Sequence, residues 1–154
     1  MSKIYEVVLF TASLRTYAKP IMKALEREIG TKFKKLYRVH CSYINKIYIK
    51  DLSKLGRPLK DVVIVDNNPD CYTFDNSNAI PICSWFEDQE DKELQKIIPI
   101  LESLTNTNDV RRYIKQFVEG DKINYMKALK VLAKKGYQRF IPHKHDLEKS
   151  SSPV

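Results

Sequence analysis

The chain has 154 residues, of which 43% are hydrophobic and 30% charged, enough for one globular domain with a real core. No apolar run approaches the ~20 residues of a membrane-spanning helix, and the opening MSKIYEVVLF lacks the apolar core and small-residue cleavage site of a secretory leader. With 27 basic against 19 acidic residues the net charge is +8, which favours acidic partners without choosing among phosphopeptides, phospholipid headgroups and nucleic acid, while only 4 glycines exclude a P-loop or dinucleotide fingerprint.

Residues 4–10, IYEVVLF, read as a buried strand. Thr11 and Ser13 follow, residue types suited to a helix N-terminus. Leu14, Tyr17, Ala18, Ile21, Leu25 and Ile29 then recur at helical spacing, and Gly30 suits a C-cap, so a helix is expected over 14–29. Residues 35–50 alternate, carry Tyr37, Tyr43 and Tyr48, and hold an Asn45-Lys46 turn signal, which predicts a β-hairpin. DVVIV at 61–65 is a strand of the type buried on both faces, and Ala79–Ile82 a further one whose edge or end Pro81 marks. Helices are expected at about 90–104 and 109–118. Glu119-Gly120-Asp121 breaks the pattern, and Ile123, Met126, Leu129 and Ala133 then point to a helix over 122–135. That helix is read as lying outside the core with a basic outer face, and docking on the sheet is the competing reading. The charged, Ser-rich end from Lys144 reads as disordered. Cys41, Cys71 and Cys83 are odd in number and contain no CxxC, which argues against a disulfide framework or zinc site and for a reducing compartment, nuclear or cytoplasmic.

The chemistry concentrates between Tyr37 and Pro69. Asp66-Asn67 ends an apolar strand, so a carboxylate and an amide stand at the carboxyl edge of a sheet, where open α/β folds place ligands. Oxygen ligands beside a cation, Lys50, suit Mg²⁺ and a phosphoryl group. Alone, Asp66-Asn67-Asn68-Pro69 would be an ordinary turn; its place after VVIV and downstream of Lys50 raises it to a site. His40 reads as a hairpin-face residue, and His143 and His145 as part of a polar tail.

VVLFTAS, YIKDLSKLGR, VDNNP and NAIPICSWF together resemble the small C-terminal-domain phosphatases, the NLI-interacting-factor-like branch of the haloacid dehalogenase superfamily, over roughly residues 4–117. The resemblance implies an α/β fold: a Rossmann-like parallel sheet flanked by helices, with a small β-hairpin insert. It implies removal of phosphate from phosphorylated Ser/Thr-Pro segments, as in the tail of RNA polymerase II, with Mg²⁺ as cofactor. Carried over by position, Thr11 binds a phosphoryl oxygen and Lys50 neutralises the nucleophile and the transferring group. Asn67 ligates Mg²⁺, and Asp66 orients the lysine and the metal-bound water and is counted with the metal. Arg38 and Tyr17 contact substrate phosphate and proline. Direct binding of nucleic acid is not expected.

One departure dominates. The family's Asp-x-Asp-x-Thr motif, whose first aspartate attacks phosphorus and whose second is the general acid and base, is nowhere in this chain. The resemblance makes the strand that carries it the first and central one, so a sheet lacking that strand is expected. The expected division is a phosphatase-like core over 1–118, incomplete at its N-terminus, and a basic helical extension and tail over 119–154. Three readings follow: a truncated phosphatase, a pseudophosphatase that binds phosphopeptides or a protein partner, and an interaction module like the import-channel relatives.

Overall fold

The structure, a computed structural model, describes residues 1–134 and Gly136. The expectations for Lys135, His143, His145 and the end of the chain lie outside the described residues. Among the described residues there are five helices and eight short strands, and the class is α/β. β1 (Val8–Phe10) leads into α1 (Arg15–Ile29), which returns to β2 (Lys34–Leu36), and β2 pairs with β1 in parallel, Leu9 opposite Lys35. β3 (Ser42–Ile44) and β4 (Ile47–Ile49) form an antiparallel hairpin around Asn45-Lys46, whose φ values of 50° and 66° give the mirror-image turn that suits a two-residue hairpin. β5 (Ile64–Asp66) pairs in parallel with β6 (Ala79–Pro81). α2 (Glu93–Lys96), α3 (Ile98–Leu104) and α4 (Val110–Ile114) follow, then a hairpin of β7 (Val118–Glu119) and β8 (Lys122–Ile123), and α5 (Tyr125–Lys134).

Several expectations need correction. The first strand shrinks to Val8–Phe10, the residues that find a ladder partner in β2. Residues 35–36 belong to that parallel ladder and not to the hairpin. The strand expected from 61 begins at Ile64, because Pro58 leads a 3₁₀ turn over Leu59–Asp61. The long helix expected to 104 is two short ones, divided where Pro99 opens α3. Leu14, and neither Thr11 nor Ser13, occupies the N-cap of α1; Gly30 is its C-cap in the left-handed region at φ 70°. The break at 119–121 is the turn of the β7–β8 hairpin.

The core gathers on one side. Ile80, Ile97, Ile100, Leu104, Val110, Tyr113, Ile114 and Phe117 pack together, and α5 adds Ala128 and Leu132 to the same cluster. The apolar face of α5 is therefore inside the core, contrary to the helix expected outside it, while Lys127, Lys130 and Lys134 stay exposed. At the other end only Ala18 and Met22 of α1 are buried, against Tyr37 and Leu9. Leu14, Tyr17, Ile21, Leu25 and Ile29, the rest of the stripe at helical spacing, are exposed. Glu26 pairs with Lys35 and Arg15 lies 5.7 Å from the Tyr37 ring, so that flank of α1 faces β2. At 100° per residue, Tyr17, Ile21 and Leu25 occupy the opposite flank of α1, turned away from β2. Among the described residues no ladder joins the β1–β2 pair to the β5–β6 pair.

Candidate functional site

The site is assembled by the turn after β5. Asn68 caps a 3₁₀ turn over Pro69–Tyr72, its side chain accepting from the Asp70 N–H at 3.0 Å. The Cys71 carbonyl of that turn accepts the Lys50 N–H at 2.7 Å, which fixes the end of β4 beside the end of β5. The Lys50 ammonium consequently meets Asp66 Oδ2 in a buried ion pair. Lys50 is 9% exposed and Asp66 7%. The other Asp66 oxygen accepts the Asn68 N–H at 2.9 Å, so both oxygens have partners. Lys50 Nζ also lies 5.9 Å from the centre of the Phe10 ring, which brings the end of β1 to the same place. Burial pushes the thiols of Cys71 and Cys41 up, with the positive charge of Lys50 acting against it.

The expected residues divide into groups. Lys50 and Asp66 touch. Asn67 is exposed beside them and donates from Nδ2 to Ser84 Oγ at 2.8 Å, tying the loop after β6 to the site. Thr11 follows Phe10; its Oγ1 accepts the Ser13 N–H at 3.1 Å and its own N–H donates to Leu36 O at 3.0 Å. Arg38 donates from Nε to the Ala12 carbonyl at 2.6 Å and stacks 4.7 Å from the Tyr48 ring, which joins the loop after β1 to the hairpin. Tyr17 is 68% exposed on the outer flank of α1, and among the described residues no side-chain hydrogen bond ties it to the others. Sequence reasoning missed Ser84, the Cys71 carbonyl and the support beneath the Lys50 loop. That support is the Leu52 N–H on Asp75 at 3.1 Å and the Asn78 amide on the Leu59 and Val62 carbonyls at 2.6 and 2.7 Å. Ser84 stands in NAIPICSWF and so was within reach; a backbone acceptor has no sequence signature.

Chemically the site offers a positive charge held by one carboxylate, with an amide at its rim. A phosphoryl group is neutralised by such a lysine. Among the described residues no group of three His, Cys, Asp or Glu side chains is placed to hold a metal ion. Asn67 and Asp66 carry side-chain oxygens of the kind Mg²⁺ takes, and Asp66 is already engaged by Lys50. A cation that takes near-octahedral oxygen coordination needs further ligands.

The strand-end carboxylate of β5 and the buried Lys50 thus meet at a carboxyl edge, where parallel α/β folds place their ligands. The sequence model of the NLI interacting factor-like phosphatase family matches residues 1–111, and the chain belongs to that family. It is 50% identical over 115 residues to CTD small phosphatase-like protein 2 of Dictyostelium discoideum, covering 75% of this chain and 20% of that one. It is 46% identical over 110 residues to carboxy-terminal domain RNA polymerase II polypeptide A small phosphatase 2 of Mus musculus, 71% of this chain and 40% of that one. It is also 46% identical over 111 residues to phosphatase Herzog of Drosophila melanogaster, 71% of this chain and 31% of that one. The matched chain thus spans between a fifth and two fifths of these relatives. The Mus musculus relative is named for the polymerase tail. Domains of this family depend in general on a divalent metal. No helix of the described residues is long and apolar enough to cross a membrane.

Proposed function

We propose that this chain supplies the phosphate-binding, charge-neutralising part of a phosphoserine/threonine phosphatase centre and that by itself it hydrolyses no phosphoester. The buried Lys50–Asp66 pair carries the reading. A lysine taken out of water and held by a single carboxylate is poised for an anion, and the sequence contains no Asp-x-Asp to provide a nucleophile and its acid. Thr11 and Arg38 contribute a hydroxyl and a guanidinium for the phosphate oxygens, and Tyr17 a surface for the residue after the phosphorylated one. Asp66 and Asn67 are two oxygen donors for Mg²⁺, whose role when bound is to neutralise phosphoryl charge; the remaining ligands come from outside this set. The ligand is a phosphorylated Ser/Thr-Pro segment, by analogy with the relatives named for the polymerase tail, in a nuclear or cytoplasmic setting.

Two observations favour the incomplete-phosphatase reading over an interaction module. Among the described residues the two parallel pairs are not joined, and one flank of α1 leaves Tyr17, Ile21 and Leu25 exposed. Both support a sheet one strand short between β1 and β5, since unpaired strand edges and exposed apolar side chains leave groups uncovered. Residues 1–118 then form the phosphatase-like part and 119–154 a basic extension whose helix closes the core.

Titration calorimetry with a phosphoserine-proline peptide and its unphosphorylated twin tests the proposal. The phosphorylated form should bind more tightly, and Lys50→Met with Asp66→Leu should erase the difference. Equal binding of both peptides by the natural chain contradicts it.

A further inference from the structure

The outer surface of α1 carries a feature that the phosphate site does not use. Arg15, Lys19, Lys23 and Arg27 follow one another at four-residue steps, and Lys32 continues the line beyond Gly30. At 1.5 Å per residue this is a ridge of about 18 Å along one helix face. All five are exposed. Lys19, Lys23, Arg27 and Lys32 make no ion pair or hydrogen bond among the described residues, and with Pro20, Gly30 and Thr31 they line an open hollow of about 700 Å³. The single acid in that hollow, Glu26, is already taken: Lys35 pairs with it and the Phe33 N–H donates to it at 2.7 Å. Glu28 lies round the far side of the helix.

An ordinary solvated helix face alternates its charges, because opposite signs at i and i+4 stabilise and like signs destabilise. Here three consecutive i, i+4 pairs are cation on cation. The first turn of α1 holds no acid, and Glu26, the one acid beside the ridge, is shared with Lys35, so most of the repulsion stands. An anionic partner removes it. Arg15 starts the ridge two residues after Ser13, whose carbonyl accepts the Arg38 N–H at 3.1 Å, so the line runs outward from the edge of the phosphate site.

We propose that this ridge is a docking surface for an acidic, Asp/Glu-rich polypeptide segment. Charge complementarity selects an anion, and the spacing selects a row of them about 6 Å apart. The surface lacks what a single-stranded nucleic acid uses: among the described residues no aromatic ring lines the hollow, Tyr37 beside Arg15 is buried, and Tyr17 stands on the opposite flank, so bases have nothing to stack on. The inference does not depend on the phosphatase reading, since it involves none of the groups at Lys50 and Asp66.

Fluorescence anisotropy of a labelled peptide of alternating Glu and Ser, titrated with the full chain at low salt, tests it. Lys19→Gln, Lys23→Gln and Arg27→Gln together should weaken binding about tenfold, the combined effect of three surface contacts. Lys122→Gln, Lys130→Gln and Lys134→Gln together remove the same charge elsewhere and should change it less than about twofold. If the triple ridge variant does not fold, Lys23→Gln alone reads the same contact at about a twofold loss. Equal loss in both triple variants, absence of binding by the natural chain, or an oligothymidylate that binds the ridge as tightly as the peptide overturns the proposal.

Discussion

Replacing Lys50 by Met keeps most of the side-chain stem while deleting the charge, and it leaves Asp66, 7% exposed, without its cation. Breaking a buried pair from one side costs about 3–5 kcal/mol, because the remaining charge stays out of water uncompensated. Against a total stability of about 5–15 kcal/mol this is a large part. At about 2–4 °C per kcal/mol for a chain of this size, the melting temperature should fall by about 6–20 °C. Adding Asp66→Leu removes the stranded charge. What is then lost is the acceptor for the Asn68 N–H, about 1 kcal/mol. The double variant should therefore be more stable than either single one. Urea unfolding followed by circular dichroism gives all three values. A Lys50→Met variant within about 1 kcal/mol of the natural chain, or a double variant as unstable as the sum of the singles, would refute the buried-pair argument.

Two further outcomes follow from the local electrostatics. Asp109 caps α4 through the Arg111 N–H at 3.0 Å, and its hydrogen bonds with the Arg111 guanidinium hold its carboxyl down at about 2. A depressed carboxyl stabilises the fold above its ordinary value and loses that contribution as pH falls toward about 2, so Asp109→Asn should flatten the decline of stability between about pH 4 and pH 2; an unchanged acid limb contradicts this. Thiol titration with an aromatic disulfide at mild alkaline pH should show one fast group, the exposed Cys83, and two slow ones, Cys41 and Cys71, whose thiols burial pushes up; three equal rates would contradict the burial of Cys71.

Local signals and non-local ones separated cleanly in this chain. α1 and its Gly30 cap, the Asn45-Lys46 turn, and β6 ending at Pro81 were all legible, because each is written in neighbouring residues. Lys35 and Leu36 were misassigned because their partner is β1, across fifteen residues of helix, and a parallel ladder leaves no mark in either strand alone. The apolar stripe of α1 identified a helix and no more than that: periodicity says that one face is apolar, not that anything covers it, and most of the stripe is exposed. At the site, Lys50 and Asp66 were readable as residue types in context. Their contact depends on the Cys71 carbonyl, which any residue could have supplied.

The central claim is that these residues bind and neutralise phosphate without a nucleophile to transfer it. Turnover of an aryl phosphate and of a phosphoserine-proline peptide, measured with and without Mg²⁺, tests it most directly. The account predicts no Mg²⁺-dependent hydrolysis above the uncatalysed rate; Mg²⁺-dependent turnover that disappears on Asp66→Ala would contradict it.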